Sequence, residues 1–338
     1  MTKKYTKWFL FPLATFLLLV ISAMVSLSTG VADISLSNIF SILQHGEGME
    51  YFILTQIRIP RTLLAIAVGG SLGLAGAILQ GIFRNPLVEP YTLGISGGAA
   101  LGVAIAIVAG LQITLGVFIL PMAGFAGAII TILLVSLLGF FRGGADINRM
   151  LLIGVMISFL ASSLVMLLIS LTARENMHGI IFWIMGSLDE PNPMLIHIAV
   201  IASILGLVFS YFFTHSLNAL RLGETKASSL GINSKYSIRL LFVFSSLLAG
   251  ICVAVAGVIG FVGLIVPHIV RMMVGSDYRI LLIGSFLGGG VFLIISDIIA
   301  RTIIAPNELP IGVITGITGG ILFIAVMTNL KKRRKHEI

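Results

Sequence analysis

Long uncharged stretches alternate with short groups of charged residues along most of this chain. Each stretch is about as long as an α-helix that crosses a bilayer, which needs ~20 apolar residues. The pattern predicts ten membrane-spanning helices, over residues 8–28, 62–83, 91–110, 115–141, 150–172, 193–215, 238–258, 260–274, 280–300 and 310–330. We therefore expect an all-α polytopic membrane protein in which residues 1–338 form a single transmembrane domain.

The stretch from Leu240 to Val270 decides between nine helices and ten, because it is long for one helix and short for two. Its helix-breaking residues are Gly257, Gly260, Gly263 and Pro267. Nine helices would leave the C-terminal KKRRK segment on the opposite side of the membrane from the basic N-terminus. Ten helices place both termini in the cytoplasm, as the positive-inside rule favours. We predict ten, with a short and irregular second helix in this stretch.

This topology places all but four of the 21 lysines and arginines on the cytoplasmic side. The four residues outside are Arg58, Arg61, Arg174 and Arg301. The net charge of +8 thus reflects membrane orientation, and we expect no nucleic-acid partner. Arg58 and Arg61 also begin a predicted helix, where the helix dipole disfavours cations by about 0.3–1 kcal/mol. This cost indicates a compensating use, unless both side chains are anchors that snorkel to the interface.

Composition and motifs exclude several kinds of function. Hydrophobic residues make up 58% of the chain, more than a soluble protein of this length can bury. One cysteine and six scattered histidines predict no disulfide, metal site or other cofactor. The GISGG sequence at 94–98 matches a serine hydrolase pattern, but it opens a membrane helix instead of a strand–turn–helix. The phosphate-binding pattern G-x-x-x-x-G-K-[ST] does not occur, so we expect no ATPase site and no enzyme activity.

Ionisable residues are nearly absent from the predicted helices, with Asp297 near a helix end as the exception. Ion-coupled transporters use such residues to carry the coupling charge. The pattern therefore favours a transporter driven by a separate ATPase over an ion-coupled secondary transporter, which remains the alternative. A membrane scaffold without transport activity is a third, weaker interpretation.

A transporter driven by an ATPase needs a cytoplasmic contact, and residues 217–236 form the candidate segment. Within it, Leu220, Gly223, Ala227 and Leu230 recur with the spacing of one face of a short helix, and Gly231 is a natural stop. Small residues on this face favour insertion into a protein cleft over a helix that lies on lipid headgroups. The predicted coupling residues are Leu220, Leu222, Gly223, Glu224, Ala227, Leu230 and Gly231.

Four long motifs carry a resemblance to a known family. They are RIPRTLLAIAVGGSLGLAGAILQGIFRNPLVEPYTLGISGGAALG, LGETKASSLGI, GVIGFVGLIVPHIVRMMVGSDYR and SDIIARTIIAPNELPIGVITGITGG. In order and spacing the chain resembles the FecCD-type permease subunits of ABC importers for iron–siderophore complexes, haem and vitamin B12. The resemblance implies a type II ABC importer permease fold in the plasma membrane. It also implies three partners: a second or sister permease, a cytoplasmic dimer of ATP-binding cassette ATPases, and an extracytoplasmic solute-binding protein or lipoprotein.

The resemblance further implies roles for single residues. Arg58, Arg61 and Arg301 would receive acidic residues of the binding protein at the outer mouth. For Arg301 the rival is an i,i+4 pair with Asp297, worth about 0.2–0.5 kcal/mol, and both roles are compatible. Asn85 and Leu87 would belong to a cytoplasmic gate.

Two further parts of the pathway follow from the same resemblance. Residues 142–149 would form a second constriction, within which no single residue matches the family closely. Trp183, Gly186 and Ser187 would line the pathway, although Trp183 is equally compatible with an interfacial aromatic anchor. A ferric siderophore is the favoured cargo because it is the commonest in the family, with haem and cobalamin as alternatives.

Overall fold

The computed structural model describes residues 2–30, 32, 34–140, 147–190 and 192–335, and the regular secondary structure in these ranges is helical. In chain order the α-helices are α1 (Thr2–Ser28), α2 (Ile39–His45), α3 (Met49–Phe52), α4 (Ile59–Ile82), α5 (Ile95–Val108), α6 (Leu111–Leu115), α7 (Ile119–Gly139), α8 (Ile147–Leu171), α9 (Arg174–Met185), α10 (Pro193–Phe212), α11 (Thr214–Leu220), α12 (Glu224–Ser229), α13 (Ser234–Ala256), α14 (Val262–Val274), α15 (Tyr278–Thr302) and α16 (Ile311–Lys335). A π-helical turn, Ile53–Arg58, leads into α4, and a 3-10 turn, Pro90–Leu93, precedes α5.

Ten apolar helical segments account for the ten predicted stretches. Among the described residues, seven segments are long and apolar enough to cross a membrane: Trp8–Ser28, Met49–Ile82, Ile119–Gly139, Ile147–Leu171, Pro193–Phe212, Ser234–Ala256 and Tyr278–Thr302. Three shorter apolar helices are Ile95–Val108, Val262–Val274 and Ile311–Val326. The predicted all-α fold class is therefore confirmed.

The stretch from Leu240 to Val270 contains parts of two helices. α13 ends at Ala256, and α14 begins at Val262. Gly257 between them has a φ of 68°, and a Cβ there would lie 2.4 Å from the carbonyl oxygen of Trp183, so glycine is required. The 13 residues of α14 extend ~20 Å, less than the ~30 Å of a bilayer core. The structure thus has the short second helix that the sequence predicts.

α4 is the central helix of the molecule and is buried along most of its length. It packs against α1, α10, α13, α14 and α15. Glycines bring its backbone unusually close to two of these neighbours: a Cβ on Gly69 would lie 2.3 Å from the Gly289 carbonyl oxygen of α15, and one on Gly76 would lie 1.9 Å from that of Gly263 in α14. Small residues permit such close packing where helices associate in lipid.

Candidate functional site

The predicted docking arginines lie together at one end of the molecule, where α1 and α15 end and α4 begins. Arg58 is the last residue of the π-helical turn that leads into α4. Its Nη1 donates to the carbonyl oxygens of Leu27 at 2.6 Å and Ser28 at 3.0 Å, and its Nη2 donates to that of Ala32. Arg58 therefore binds the last carbonyl groups of α1, which have no partner within the helix.

Arg301 binds the same end of α1 as Arg58. Its Nη2 donates to Ser26 Oγ at 2.9 Å, and its Nη1 donates to the carbonyl oxygen of Thr29 at 3.2 Å. A helix C-terminus carries partial negative charge and attracts cations. This attraction offsets the cost that Arg58 incurs at the start of α4, so the position of these cations has a structural explanation within the chain.

Asp297 joins two of the three arginines. Its Oδ1 accepts a hydrogen bond from Arg61 Nε at 2.8 Å, and its Oδ2 lies 3.0 Å from Arg301 Nε. The second contact is the i,i+4 pair of Asp297 and Arg301 that the sequence predicts, so this prediction is confirmed. The Asp297 side chain is only 1% exposed, and a buried carboxylate of this kind is tolerated when opposite charges surround it.

Glu308 completes a charge cluster at the predicted outer end of the molecule, which we call the outer charge cluster and define as Arg61, Asp297, Arg301 and Glu308. The Glu308 Oε2 accepts a hydrogen bond from Arg61 Nη1 at 2.7 Å. The Glu308 side chain is 47% exposed, in contrast to the buried Asp297. The sequence analysis missed Glu308, although its place in the loop between the last two helices, on the predicted outer side, was a usable signal.

The three predicted docking arginines are buried, at 4% exposure for Arg58, 8% for Arg61 and 7% for Arg301. In this structure each of the three donates hydrogen bonds to residues of the same chain. Their geometry therefore supports a structural role directly, and contact with a binding protein stays a prediction.

The predicted coupling helix is not one continuous helix, and this expectation was wrong. α11 ends at Leu220, and Gly223 then adopts a φ of 105° before α12 begins at Glu224. The predicted face is also split: Leu220 and Ala227 are buried within the chain, whereas Leu230 is 58% exposed. A helical spacing drawn across Gly223 fails because this glycine changes the direction of the chain.

Of the apolar residues predicted for coupling, two are exposed to a partner. Leu222 and Leu230 are 51% and 58% exposed. Both line a cavity of about 570 Å³ whose wall also includes His215, Arg221 and Asp277. An exposed apolar pair beside an open cavity of mixed polar and apolar lining is suited to contact with another protein subunit.

The predicted gate residues follow α4 and lie close to this segment. Asn85 Oδ1 accepts a hydrogen bond from the Leu87 backbone at 3.0 Å, which forms a tight turn and leaves Leu87 exposed. The preceding Arg84 has a Nη2 atom 3.9 Å from Glu224 Oε1 at the start of α12. The gate turn and the predicted coupling segment are thus neighbours, joined by a long and exposed ion pair.

Glu89 connects the gate turn to α14. Its Oε1 accepts a hydrogen bond at 2.5 Å from the backbone N–H of Phe261, the residue that caps the N-terminus of α14. Gln80 Nε2 of α4 donates to the carbonyl oxygens of Gly263 and Leu264, each at 3.1 Å. A carboxylate at a helix N-terminus is favoured by the helix dipole. The start of α14 is therefore held by both α4 and the gate turn.

The residues predicted to line the pathway gather near the end of α9. Trp183 and Ser187 line a cavity of about 220 Å³ together with Asp189 and Glu190. Burial raises the pKa of the Glu190 carboxyl, and the hydrogen bond from the Asn192 backbone N–H opposes this rise.

Gly186 provides the turn that brings these residues together. It has a φ of 75°, and a Cβ there would lie 2.9 Å from the carbonyl oxygen of Val258. Trp183 is partly buried and contacts Gly124 of α7, so its ring packs within the protein.

The predicted gate loop and possible groups of metal-binding side chains are the last two features to compare with the structure. Of the predicted gate loop 142–149, residues 142–146 lie outside the described part of the chain, and residues 147–149 begin α8. Among the described residues, no three His, Cys, Asp or Glu side chains lie close enough together to hold a metal ion.

Comparison with protein families gives one match that covers most of the chain. The model of the FecCD transport family matches residues 18–329. The chain is 36% identical to the hemin transport system permease protein HmuU of Yersinia pestis, over 94% of this chain and 95% of that protein. It is 39% identical to the vitamin B12 import system permease protein BtuC of Salmonella typhimurium, over 80% of this chain and 81% of that protein.

Comparison with solved structures gives the same fold. An inward-facing metal-chelate type ABC transporter superposes with a TM-score of 0.85 at 33% identity, covering 94% of this chain and 98% of that one. PsaBC from Streptococcus pneumoniae superposes with a TM-score of 0.55 at 17% identity, a likeness that shows the fold alone.

Proposed function

Because this chain belongs to the FecCD transport family of ABC importer permeases, we propose that it carries a ferric siderophore complex across the plasma membrane, driven by a separate ATPase. Two relatives are named for hemin and vitamin B12, so haem and cobalamin are supported as cargo as well as a ferric siderophore is. The cargo would cross by alternating access, in which ATP binding and hydrolysis shift the inward- and outward-facing populations.

The observation that supports transport driven by a separate ATPase is the contact between the gate turn, Asn85–Leu87 with the preceding Arg84, and α12. Arg84 beside Asn85 lies 3.9 Å from Glu224, and Leu230, the residue that follows α12, is exposed beside an open cavity. An ATPase bound at this surface would touch the element next to the gate. ATP-driven movement then has a short path from the ATPase to the cytoplasmic end of the pathway.

The remaining partners follow from the same proposal. A second copy of this chain, or a sister permease, would complete the pathway, and Trp183, Gly186 and Ser187 would line it. An extracytoplasmic solute-binding protein would dock at the end that holds Arg58, Arg61 and Arg301. Both termini would lie in the cytoplasm, as the distribution of basic residues favours.

A transport assay tests the source of energy. In vesicles that contain the permease, its ATPase and its binding protein, uptake should require ATP on the ATPase side. It should persist when the proton and sodium gradients are collapsed. Uptake that stops with an ionophore while ATP is intact would favour the ion-coupled secondary transporter instead.

A competition assay in the same vesicles tests the cargo. Uptake of a radiolabelled ferric siderophore should be saturable and unaffected by excess haem or cobalamin. Uptake of haem or cobalamin, with no transport of ferric siderophores, would reassign the cargo while leaving the ATP-driven mechanism in place.

A further inference from the structure

Arg61 is held between two carboxylates that differ sharply in exposure. Its Nε donates to Asp297 at 2.8 Å, and its Nη1 donates to Glu308 at 2.7 Å. The Asp297 side chain is 1% exposed and the Glu308 side chain 47% exposed. One partner of Arg61 is therefore fixed in the protein interior, and the other lies at the surface.

This arrangement limits how an acidic residue from outside can reach Arg61. The Asp297 side of the guanidinium is closed by α15 and by Arg301, whose Nε lies 3.0 Å from Asp297. The Nη1 side is covered by the Glu308 carboxylate. An incoming carboxylate that pairs with Nη1 of Arg61 has to take the position that Glu308 now holds, so Glu308 has to leave this nitrogen first.

We propose that Glu308 is an internal competitor of the binding protein: it occupies Arg61 in the undocked permease and is displaced by an acidic side chain of the docking partner. This inference rests on the docking role proposed above for Arg61. It adds a residue that regulates docking and was not among the predicted docking residues.

The segment that carries Glu308 is suited to this exchange. The backbone N–H of the adjacent Leu309 donates to the carbonyl oxygen of Ala300 at 2.9 Å, which anchors the segment to α15. Rotation of the exposed Glu308 side chain is then sufficient to free Nη1, without movement of a helix. Because one carboxylate replaces another, docking gains little net Coulomb energy, and the partner can leave after delivery.

The test measures binding of the purified solute-binding protein to the complete permease–ATPase complex in nanodiscs. Glu308→Gln keeps the shape and a hydrogen-bond acceptor but removes the competing charge. We expect the variant to bind about two- to five-fold more tightly, the range set by the small free energy of an ion pair whose carboxylate is partly exposed. The difference should shrink at high salt, where surface charges are screened.

A matched control separates competition from a change in net charge. Glu47 is exposed in the segment between α2 and α3, on the same side of the molecule as the outer charge cluster. Glu47→Gln removes the same charge and should leave the affinity close to wild type. An affinity gain of equal size in both variants would overturn the proposal, because it would then be a long-range charge effect.

A second background shows whether Glu308 acts through Arg61. In Arg61→Gln the additional change Glu308→Gln should give no gain. If Arg61→Gln does not assemble with the ATPase, Arg61→Lys serves instead. An ammonium group cannot replace a guanidinium that bridges two carboxylates, so the gain in affinity from Glu308→Gln should be reduced in this background. If Glu308→Gln still gave the full gain in affinity in an assembled Arg61 variant, Glu308 would not compete for Arg61.

One further variant distinguishes failure of this inference from failure of the docking role. Arg61→Glu should slow association strongly, and a complementary Glu→Arg change in the binding protein should restore it. Normal docking of a correctly assembled Arg61→Glu complex would overturn the docking role and this inference together. Impaired docking of Arg61→Glu, with unchanged or weaker docking of Glu308→Gln, would overturn this inference alone.

Discussion

Asp297 carries its charge at 1% exposure, so groups within the protein have to balance it. Arg61 contacts one carboxylate oxygen and Arg301 the other, and the carboxylate in turn offsets the repulsion between these two cations. Removal of one member of a buried charge group is costly because the remaining charges stay desolvated and unpaired. The outer charge cluster is thus a structural unit as well as a candidate docking site.

Asp297→Asn should therefore destabilise the protein by about 3–5 kcal/mol, because it leaves two buried guanidinium groups facing each other. Glu308→Gln should cost less than about 1 kcal/mol, since the Glu308 carboxylate is half exposed and Arg61 keeps Asp297 as a partner. The measurement is thermal unfolding of both variants in the same detergent. Equal loss of stability in the two variants would contradict the central role of Asp297.

At the scale of single elements, the turn between α11 and α12 changes which residues are available to an ATPase. The sequence suggested a small-residue face that contains Ala227, yet Ala227 is fully buried. The exposed apolar residues are Leu222 and Leu230, on either side of the short α12. Coupling through this segment would therefore depend on the two leucines.

Leu230→Glu should prevent stable association with the ATPase and abolish uptake, because it places a charge in an apolar contact. Since Leu230 is exposed, the unfolding temperature of the isolated permease should not change. Ser229→Glu, at an exposed position of α12, is the control and should co-purify with the ATPase at normal yield. Normal uptake by Leu230→Glu would show that this surface is not the coupling contact.

Ala227→Trp separates the two interpretations of the same helix. A tryptophan at a buried alanine overpacks the interior, which costs about 1–3 kcal/mol. The variant should therefore lose stability as an isolated permease, before any ATPase is added. An unchanged unfolding temperature together with lost ATPase binding would restore the small-residue face as the contact.

The close packing of α4 against α15 should also have a measurable effect on stability. Gly69→Ala would place a Cβ 2.3 Å from a backbone oxygen of Gly289, which cannot move without shifting α15. We expect a loss of about 1–3 kcal/mol, measured by thermal unfolding in detergent. Gly316→Ala in α16 is the control, since a Cβ there has no neighbour within 4 Å. Comparable stability of the two variants would contradict the packing argument.

For the whole molecule, the bilayer explains why the helices could be predicted and other features could not. Lipid requires long apolar helices, so their number and approximate positions follow from the lengths of uncharged stretches. Contacts between distant residues have no such local signal. Arg61 and Asp297 are 236 positions apart, and their pairing appears only when α4 and α15 pack together.

The exposed apolar surface of the whole molecule agrees with a membrane setting. In α1 and α8 only 17% of the most apolar part is buried within the chain, whereas most of α4 is buried. Large exposed side chains such as Phe159 and Met166 of α8 require lipid or a second permease as their surroundings. A dimer and a bilayer would together cover these faces.

The central position of α4 has a mechanical consequence. Its 24 residues form a rod of ~36 Å, with Arg61 at one end and the Asn85–Leu87 turn just beyond the other. Backbone contact with α15 at Gly69 keeps the two helices from sliding independently. If the rod pivots about this contact, a tilt of about 5° displaces one end relative to the other by about 3 Å along its ~36 Å length. A small rearrangement near Arg61 would therefore displace the Asn85–Leu87 turn at the opposite end of α4.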